Sequence, residues 1–521
     1  MTRDETVALF LQGREAWNAW AGEMIARRKA MEADGRWAEE EATSDSLPAG
    51  NAETLVWMQA AQADFSRCVL LAREPEQDES AQEEGPKEPR EVGSQFHAIQ
   101  LETYSVDFSG FIFPGAALFE GTTFSRTASF DRATFFGNAL FQGATFSEGA
   151  WFTKTVFSSN ARFQNATFFC NTSFNGIVFS RSAWFESAAF RANTWFDGGT
   201  FSGDVWFECS AFSGNVSFHS AAFTSVARFQ RAAFSGDASF DSATFTGDAS
   251  FKSTAFSGRA SFKDAAFCGD ANFTSATFSG GAWFWSAVFQ DFTSYREAKF
   301  LKQASFAGIK VDRGFDMTEA EFERVPAFNQ ADFKQAPELD NVKFPLPFFW
   351  GDAELIARYR AIRRMAIQGA DYEREQMAFK GELRSRRWTA DKWWSIGTWL
   401  GLIYDGIADC GHSIVRPVLL WLASVPVFAL LYLRAAEQAE GWGCSTPFIK
   451  ALFLAGRNAL VLFSGGRDAR IAQAYRCLYG GNGEPQIPDS VSFVEAFVQV
   501  PLSAVLIFLL LLAIKNRFKI K

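Results

Sequence analysis

The sequence predicts an all-β solenoid that is preceded by a helical cap and followed by an α-helical transmembrane segment. Three observations predict this architecture: an excess of two residue types, a strict period in one of them, and a long uncharged run near the end of the chain. The 521 residues include 59 Phe and 40 Gly. An ordinary core distributes its apolar content over several residue types, so the dominance of one type indicates an environment that recurs many times.

The phenylalanines follow two series of positions that alternate at steps of five and six along the chain. One series runs from Phe108 to Leu339 and the other from Phe113 to Phe344, and each recurs at every eleventh position. Of these 44 positions, 40 are Phe. The four exceptions, all apolar or aromatic, are Tyr295, Val311, Met317 and Leu339. The residue two positions before each member is usually Ala, so each repeat offers one large and one small apolar side chain.

This period argues against a helix and predicts a coil of short strands. Eleven residues fit three helical turns, but a five-residue step rotates by about 140° and would put the two Phe series on different faces. The frequent Gly would also cost a helix roughly 1 kcal/mol each. In an extended segment, residues i−2 and i point to the same side, so Ala and Phe are inward while Ser, Thr, Asp and Arg are outward. The Gly-Asp and Ser-Xaa pairs of the six-residue step are then expected to make the corners.

Two eleven-residue units are needed to enclose the rings, which predicts a 22-residue coil with four faces and four inward Phe. Nearly eleven such coils fit into residues 108–344. At an interstrand spacing of about 4.8 Å they form a rod of roughly 50 Å in which rings of successive coils stack as ladders. The predicted members chosen to represent this core are Phe130, Phe135, Phe141, Phe146, Phe240, Phe245, Phe251 and Phe256.

Units such as Ala243-Thr-Phe245-Thr-Gly and Ala276-Thr-Phe278-Ser-Gly resemble the pentapeptide-repeat family, whose repeats centre on Leu or Phe with Ala two residues before. The resemblance implies a right-handed quadrilateral β-helix. This chain departs from the commonest pattern by an extra residue in every second unit and by Phe where many members have Leu. The C-terminal part of the chain is similar to membrane-bound bacterial members of the family, which implies a location more than an activity.

Composition divides the chain into five regions. They are an N-terminal helical cap region (1–73, with a helix predicted over 5–30), a disordered acidic linker (74–100), the solenoid (101–344), amphipathic or interfacial helices (345–412) and a transmembrane domain (413–521).

The region after the repeats predicts a charged helical hairpin over residues 353–387, broken near Gly369. Its basic residues are compatible with a solvated helix face or with contact to anionic lipid headgroups. The tryptophans that follow are interleaved with apolar residues, as in an interfacial helix with an aromatic belt, and favour the lipid interpretation. The predicted membrane-interface residues are Arg363, Arg364, Arg386, Arg387, Trp393, Trp394 and Trp399.

Two segments, 417–433 and 496–514, are long and apolar enough to span a bilayer. Basic residues at their outer ends place both flanks in the cytoplasm by the positive-inside rule. We therefore expect a multi-pass protein of the bacterial inner membrane, with the solenoid and both termini cytoplasmic and residues 435–490 outside. The outer segment contains a candidate re-entrant helix (447–463). It also holds Cys444 and Cys477, which could form a disulfide there.

Three cysteines of the repeats, Cys170, Cys209 and Cys268, are expected to be free thiols at the surface, which agrees with a reducing compartment. Charge is unevenly distributed: residues 1–100 hold 20 acidic and 10 basic side chains, whereas residues 108–344 hold 22 and 19. A nearly neutral repeat surface does not favour nucleic acid as a partner, and it does not favour the DNA mimicry against gyrase known for some soluble family members.

No catalytic or metal-binding motif is found in the sequence. The chain has three His, no His-Glu-Xaa-Xaa-His, no P-loop and no Gly-Xaa-Ser-Xaa-Gly. The sequence therefore predicts a scaffold without catalysis, cofactor or metal, with an unknown protein partner on the solenoid faces and membrane lipids as further partners. A homo-oligomer through the transmembrane segment is a further option. The alternative is a channel-like or signalling membrane protein that the solenoid regulates, since the order of span, short helix and span resembles two-span ion channels in layout.

Overall fold

The computed structural model describes residues 1–40, 49–71, 97–100, 105–346, 353–389, 396–411, 413–439, 445–460, 469–480 and 487–518. The chain forms two compact units, Met1–Pro345 with Ala357–Glu375 and Leu346–Ile356 with Gln376–Lys521. Most of the predicted linker 74–100 lies outside the described residues. Its last four residues differ from the prediction, because His97–Gln100 forms a strand that pairs with Cys68–Leu71.

The repeats fold into a parallel solenoid with four sheets, as the sequence predicts. Each coil consists of two eleven-residue units, because every strand pairs in register with the strand two units later, for example Ala128 with Ala150. Within the repeats each strand is two residues long, and the chain turns a corner before the next strand. We number the faces 1 to 4 in the order in which a coil visits them.

The strands of the four faces are as follows. Face 1 contains Val106–Asp107, Ala128–Ser129, Ala150–Trp151, Thr172–Ser173, Thr194–Trp195, Val216–Ser217, Ala238–Ser239, Ala260–Ser261, Ala282–Trp283 and Ala304–Ser305. Face 2 contains Ile112–Phe113, Thr134–Phe135, Val156–Phe157, Val178–Phe179, Thr200–Phe201, Ala222–Phe223, Thr244–Phe245, Ala266–Phe267, Val288–Phe289, Lys310–Val311 and Asp332–Phe333. Face 3 contains Ala63–Asp64, Ala117–Leu118, Ala139–Leu140, Ala161–Arg162, Ala183–Trp184, Val205–Trp206, Ala227–Arg228, Ala249–Ser250, Ala271–Asn272, Thr293–Ser294 and Phe315–Asp316. Face 4 contains His97–Gln100, Cys68–Leu71, Thr123–Phe124, Thr145–Phe146, Thr167–Phe168, Ala189–Phe190, Ala211–Phe212, Ala233–Phe234, Ala255–Phe256, Thr277–Phe278, Lys299–Phe300 and Glu321–Phe322.

Two of these strands show that the solenoid begins before the predicted boundary at residue 101. Ala63–Asp64 joins face 3 and Cys68–Leu71 joins face 4, so the N-terminal region contributes part of the first coil. A separate antiparallel pair, Glu39–Glu40 with Ala49–Gly50, lies outside the solenoid sheets.

Helices precede and follow the repeats along the chain. Those before and directly after the repeats are α1 (Arg3–Leu11), α2 (Arg14–Ala33), α3 (Ala52–Ala61), α4 (Ala353–Gln368) and α5 (Tyr372–Thr389). Those that follow are α6 (Ile396–Ala408), α7 (Val415–Ala439), α8 (Pro447–Ala459), α9 (Ala469–Tyr479), α10 (Asp489–Phe493) and α11 (Val500–Phe518). A 3-10 turn, Asp409–Gly411, follows α6, and a π-helical segment, Val494–Gln499, joins α10 to α11. The single helix predicted over 5–30 is divided into α1 and α2 at Gly13, which has a φ of 91°.

The solenoid core consists of ladders of stacked rings. Every position of the two series is at most 9% exposed. In the middle of the rod, Phe240 stacks on Phe262 with 4.9 Å between ring centroids and 3° between planes. Rings of neighbouring ladders meet edge to face, as Phe240 and Phe251 do at 5.3 Å and 84°. Both arrangements are favourable for aromatic pairs and add about 0.5–1.5 kcal/mol each beyond the buried area.

Where the ladders depart from Phe, neighbouring side chains fill the space. Tyr295 stacks on Phe273 at 4.8 Å and 2°. At Met317, Phe315 occupies the inward position that Ala holds in most coils, and its ring lies 5.5 Å from that of Tyr295. The ring that is lost at Met317 is therefore replaced by a ring two positions earlier, which keeps this part of the core closely packed.

The corners use two different devices. In each five-residue step from 108 to 344, the residue two after the first Phe has a positive φ, and most of these residues are not Gly; Ser253, with φ 57°, is an example. Glycine has another purpose in the six-residue step. A Cβ on Gly258 would lie 2.3 Å from the carbonyl oxygen of Gly236 in the preceding coil. The predicted Gly-Asp pairs do lie at corners, but their Gly is required for close stacking of coils.

The N-terminal helices cap the open end of the solenoid. Trp17 of α2 is fully buried and donates its indole N–H to the carbonyl oxygen of Ile112 at 2.8 Å. The Asn18 side chain donates to Gly110 O at 2.9 Å and accepts from Ile112 N at 3.0 Å. These side chains pair the backbone edge that would otherwise be exposed at the first coil.

The C-terminal end is capped by α4 and the start of α5, which differs from the predicted interfacial hairpin. Arg358 donates to Val325 O at 2.8 Å, Gln368 to Phe333 O at 3.1 Å and Arg374 to Leu339 O at 3.3 Å. The break predicted near Gly369 does occur between α4 and α5. Two basic residues of this hairpin, Arg358 and Arg374, therefore donate hydrogen bonds to backbone carbonyls of the last coils.

The C-terminal unit packs α7, α8 and α9 through small residues. Ala429 and Ala436 of α7, Ala451 and Ala455 of α8, and Ala474 of α9 are fully buried in one cluster. Small residues at helix contacts are typical of membrane helices, where close backbone approach replaces the hydrophobic effect as the main attraction. The predicted re-entrant helix 447–463 corresponds to α8, which ends at Ala459, and residues 461–463 lie outside the described part of the chain.

Two helical stretches, Val415–Glu437 and Asp489–Lys515, are long and apolar enough to cross a membrane by length and composition. They include the predicted spans 417–433 and 496–514 and are longer at both ends. Only 17% and 28% of their most apolar windows is buried within the protein. The apolar side chains of both stretches are therefore largely exposed, unlike those of a core helix.

We predict that Phe240→Asp unfolds the solenoid at a much lower temperature than the wild type. The carboxylate would be buried without a partner inside a ring ladder, which costs several kcal/mol. Thermal unfolding followed by circular dichroism measures the effect. Lys252→Ala, an exposed outward change close to it in the rod, is the control and should stay within about 0.5 kcal/mol. Equal melting of Phe240→Asp and wild type would contradict the ladder as the main source of stability.

We also predict that Gly258→Ala strongly lowers the melting temperature. Its Cβ would overlap the backbone of Gly236, which cannot move without separating two coils. Ser253→Gly, at a left-handed corner of the same region, should have a much smaller effect, because Gly adopts that conformation without strain. The close-approach explanation fails if the two variants melt at the same temperature.

Candidate binding faces of the solenoid

The four faces present different side chains outward. On faces 1 and 3 the second residue of most strands points outward, whereas on faces 2 and 4 the first one does. Faces 2 and 4 present mainly Thr, Ala and Val over most of their length. The outward tryptophans of the strands are Trp151, Trp195 and Trp283 on face 1 and Trp184 and Trp206 on face 3. Faces 1 and 3 are therefore the candidate binding surfaces.

Face 3 carries a continuous stack that we call the indole–guanidinium ladder, formed by Arg162, Trp184, Trp206 and Arg228 on four successive coils. The two indoles lie 4.9 Å apart with an angle of 2° between their planes. The Arg162 guanidinium lies over Trp184 at 5.3 Å, and that of Arg228 over Trp206 at 5.0 Å. Such cation–π contacts contribute about 0.5–1 kcal/mol at exposed sites, so these side chains are oriented before any partner arrives.

One end of this ladder is fixed by an ion pair. Arg228 approaches the Asp204 carboxylate at 3.2 Å, and Asp204 also accepts hydrogen bonds from the Ser225 hydroxyl and from Val226 N. Burial alone raises the pKa of Asp204, but these three donors outweigh it and hold the pKa below its usual range. The carboxylate thus stays ionised at neutral pH and holds the guanidinium over the indole.

The opposite end of this ladder is apolar. Leu118 and Leu140 occupy the outward position on the two preceding coils. Together with the ladder they give face 3 a stripe of large side chains over six successive coils. Its composition, aromatic and Arg with few competing carboxylates, is that of protein-interface hot spots.

Face 1 carries a trough with a volume of about 560 Å³. Its floor is formed by Ser217, Ser239 and Ser261, and Trp195 and Trp283 stand at its two ends. The small serines occupy three successive coils between the coils of Trp195 and Trp283, so the trough lies between two indoles of the same face. The two rims also contain Asn215, Asp237, Asp241, Arg259, Lys263 and Trp285.

The predicted core residues lie inside the solenoid and do not form a surface site. Phe130, Phe135, Phe141, Phe146, Phe240, Phe245, Phe251 and Phe256 are at most 1% exposed. Their role is to hold the faces in register.

The predicted membrane-interface arginines do not share one environment. Arg364 and Arg386 are exposed, Arg363 is half-buried and Arg387 is buried. The predicted lipid contact of Arg387 stays a prediction; within the protein its guanidinium approaches Asp405 at 3.2 Å and donates to Gly401 O at 2.9 Å.

Arg387 belongs to an ion-pair network that joins α5 to α6 and to the 3-10 turn after it. Arg384 also approaches Asp405, at 2.9 Å, and Lys380 approaches Asp409 at 2.5 Å. Burial raises the pKa of Asp405, but the hydrogen bonds from both arginines outweigh it and the pKa lies below its usual range. The network therefore supports packing of these helices and leaves fewer cations for lipid than the sequence suggests.

The remaining predicted positions are described in part. Trp399 of α6 is exposed, as an interfacial residue would be, while Trp393 and Trp394 lie outside the described residues. Cys477 is disulfide-bonded. Cys444, its predicted partner, is outside the described residues. Cys68, Cys170, Cys209, Cys268 and Cys410 are free thiols.

The outward tryptophans were not predicted as a site, although the sequence contains a signal for them. Each directly precedes a member of the first Phe series, as in Trp184-Phe185 and Trp206-Phe207. That position alternates between faces 1 and 3 from one repeat unit to the next, so tryptophans separated by two units must share a face. A search for catalytic motifs finds only local patterns. Such patterns do not show which outward side chains of different coils lie next to each other.

These faces define a class of protein: a parallel β-solenoid with a filled aromatic interior and side-chain arrays on its outer surface. The family model described as "Pentapeptide repeats (9 copies)" matches residues 108–156, 130–178, 210–255 and 240–288. The chain therefore contains a pentapeptide-repeat domain, as the Ala-Xaa-Phe pattern indicates. No curated protein and no solved structure matches the chain.

Proposed function

We propose that this protein is a scaffold without catalysis of its own, which holds a protein partner against the indole–guanidinium ladder of face 3. The observation that carries the proposal is the pre-oriented stack of two indoles between two guanidinium groups. Rigid aromatic and Arg side chains lose little conformational freedom on binding and are enriched at interface hot spots. A partner surface with aromatic and acidic side chains would complement this array. The mixed charge of the faces does not favour nucleic acid as partner.

We further propose that the C-terminal unit anchors the scaffold in the bacterial inner membrane, with the solenoid and both termini cytoplasmic. Exposed apolar side chains on Val415–Glu437 and Asp489–Lys515 support contact with membrane lipids, and they also provide surfaces for a homo-oligomer. The disulfide of Cys477 supports an oxidising location for residues 435–490, and the free thiols of the repeats support a reducing one for the solenoid.

A second candidate, ion conduction regulated by the solenoid, is favoured by polar groups between the C-terminal helices. Both carboxylate oxygens of Glu495, in the π-helical segment, lie 2.7 Å from the Tyr475 hydroxyl. One turn later, Gln499 is fully buried and donates to Ala455 O at 2.7 Å. Ionisable and polar groups among membrane helices often mark ion pathways. Recording from purified protein in planar bilayers discriminates the two functions: a scaffold stays silent, whereas a channel conducts and responds to Glu495→Gln.

We predict that replacing Trp184 and Trp206 with Ala weakens capture of the partner at least tenfold, which corresponds to about 1.4 kcal/mol or more. Quantitative crosslinked pull-down from membranes measures the loss. Thr145→Ala and Thr167→Ala, outward on face 4, form the matched control and should leave capture unchanged. A partner that is retained equally by both variants would show that face 3 is not its binding surface.

We predict that an impermeant maleimide does not label Cys170 and Cys209 in intact cells, because the solenoid is cytoplasmic. Both thiols are exposed and should react after lysis. Ala472→Cys in α9, at an exposed position of the outer segment, should react in intact cells. Labelling of Cys170 in unbroken cells, or protection of the introduced cysteine, would contradict the proposed topology.

A further inference from the structure

The trough on face 1 is lined so that its two ends and its floor offer different contacts. Trp195 closes one end. At the other, Trp283 and Trp285 form an aromatic corner with ring centroids 5.1 Å apart and planes at 57°. The Trp285 indole donates to the Ser305 hydroxyl at 2.5 Å, which fixes that ring in place. A ligand in the trough would therefore meet preformed aromatic surfaces at both ends.

Hydroxyl groups on the floor are prepared for hydrogen bonding. Ser261 donates its hydroxyl to Asp241 at 2.5 Å, so its oxygen can accept further bonds. Ser239 accepts a bond from Asp241 N at 3.4 Å and keeps its hydroxyl proton for a carbonyl of the ligand. The serine hydroxyls of the floor can therefore accept hydrogen bonds from the N–H groups of a peptide backbone and donate hydrogen bonds to its carbonyls.

The backbone under the trough cannot take up an additional strand. Val216 N donates to Asp237 O at 2.8 Å, Ala238 N to Arg259 O at 2.7 Å and Phe240 N to Ser261 O at 2.7 Å. Each coil is thus paired with the next along the whole floor. A peptide in the trough has to be recognised through side chains, which excludes strand addition as the mode of binding.

The length of the trough fits one regular peptide conformation. The ring pairs behind the floor are spaced 4.7–4.9 Å per coil, so the four steps from Trp195 to Trp283 span about 19 Å. A polyproline II helix rises about 3.1 Å per residue with three residues per turn, so two turns, which separate residue one from residue seven, also span about 19 Å. Its side chains repeat every ~9.3 Å on one face, close to two coils. Extended β-strands repeat every ~6.8 Å and do not match the coil spacing.

The charges of the rims are separated along the trough. Asp237 and Asp241 flank Ser239 on the middle coil, and Arg259 and Lys263 flank Ser261 on the next coil, which is adjacent to that of Trp283. Arg259 and Lys263 are exposed. A segment with a basic residue near its middle and an acidic residue between there and Trp283 would be complementary to this arrangement.

We propose that this trough binds a proline-containing segment of a partner protein, about seven residues long and in the polyproline II conformation. Prolines six residues apart, which two turns separate by about 19 Å, would pack against the indoles at the two ends, and the Ser hydroxyls and rim cations would bond the free backbone carbonyls between them. Aromatic grooves recognise this conformation because it is preformed and leaves its carbonyls unpaired. The site is separate from the indole–guanidinium ladder and does not depend on it.

The test uses the full chain in detergent and a positional-scanning library of labelled heptapeptides with proline at positions one and seven. Library members with one basic and one acidic residue should bind best, and replacement of both prolines by alanine should weaken binding at least tenfold. Trp195→Ala and Trp283→Ala should each cause a similar loss. Ser239→Trp fills the middle of the trough with an indole, a side chain that the same face carries two coils away on either side, and should abolish binding.

Two controls distinguish binding in the trough from binding elsewhere on the solenoid. Ser129→Trp adds an indole on the same face outside the trough and should leave binding unchanged. Trp184→Ala with Trp206→Ala removes the indoles of the face 3 ladder and should also leave it unchanged. The proposal is overturned if no library member binds the wild type more tightly than Ser239→Trp. It is equally overturned if cellohexaose, as a saccharide probe, binds in the trough while no peptide does.

Discussion

The structure depends on one repeated contact, the stacking of each ring on its equivalent in the next coil. Phe245 and Phe267, 4.7 Å apart with planes at 2°, are one instance. Each contact fixes the register between two coils, and the short strands follow because only a few positions separate successive corners. Since a coil touches only its neighbours, stability grows approximately as a sum over coils. The caps at both ends are needed for the same reason, because a terminal ring ladder and its backbone edge would otherwise face solvent.

A fixed register has a consequence for the surface: any outward side chain is aligned with its equivalents in the coils before and after it. The chain uses this to stack Trp184 on Trp206 and to place serines between Trp195 and Trp283. Neither arrangement needs a loop or a pocket in the core. Binding specificity in such a fold resides in rows of outward side chains. A single substitution of an outward residue therefore changes one position of a row and leaves the scaffold unchanged.

Corners and charged residues show how tertiary contacts change the meaning of a residue. Gly258 is required because a neighbouring coil lies against it and not because of its own φ. Arg387 has the sequence context of a lipid-facing cation, yet Asp405 pairs with it. Arg358 likewise belongs to the C-terminal cap, because the last coils present a free carbonyl at Val325. In each case the partner is distant in sequence and no local pattern reveals it.

The sequence by itself determined the solenoid, its two-unit coil, the inward positions and the two apolar stretches, because each depends on a period or a run that is visible along one chain. Only the tertiary structure decided which outward residues act together. Alignment of Arg162 with Trp184, or of Asp241 with Ser261, requires knowing which of the four faces each strand joins. The strands contributed by residues 63–71 were also hidden, since they lie apart from the repeat and become part of the first coil only through pairing with it.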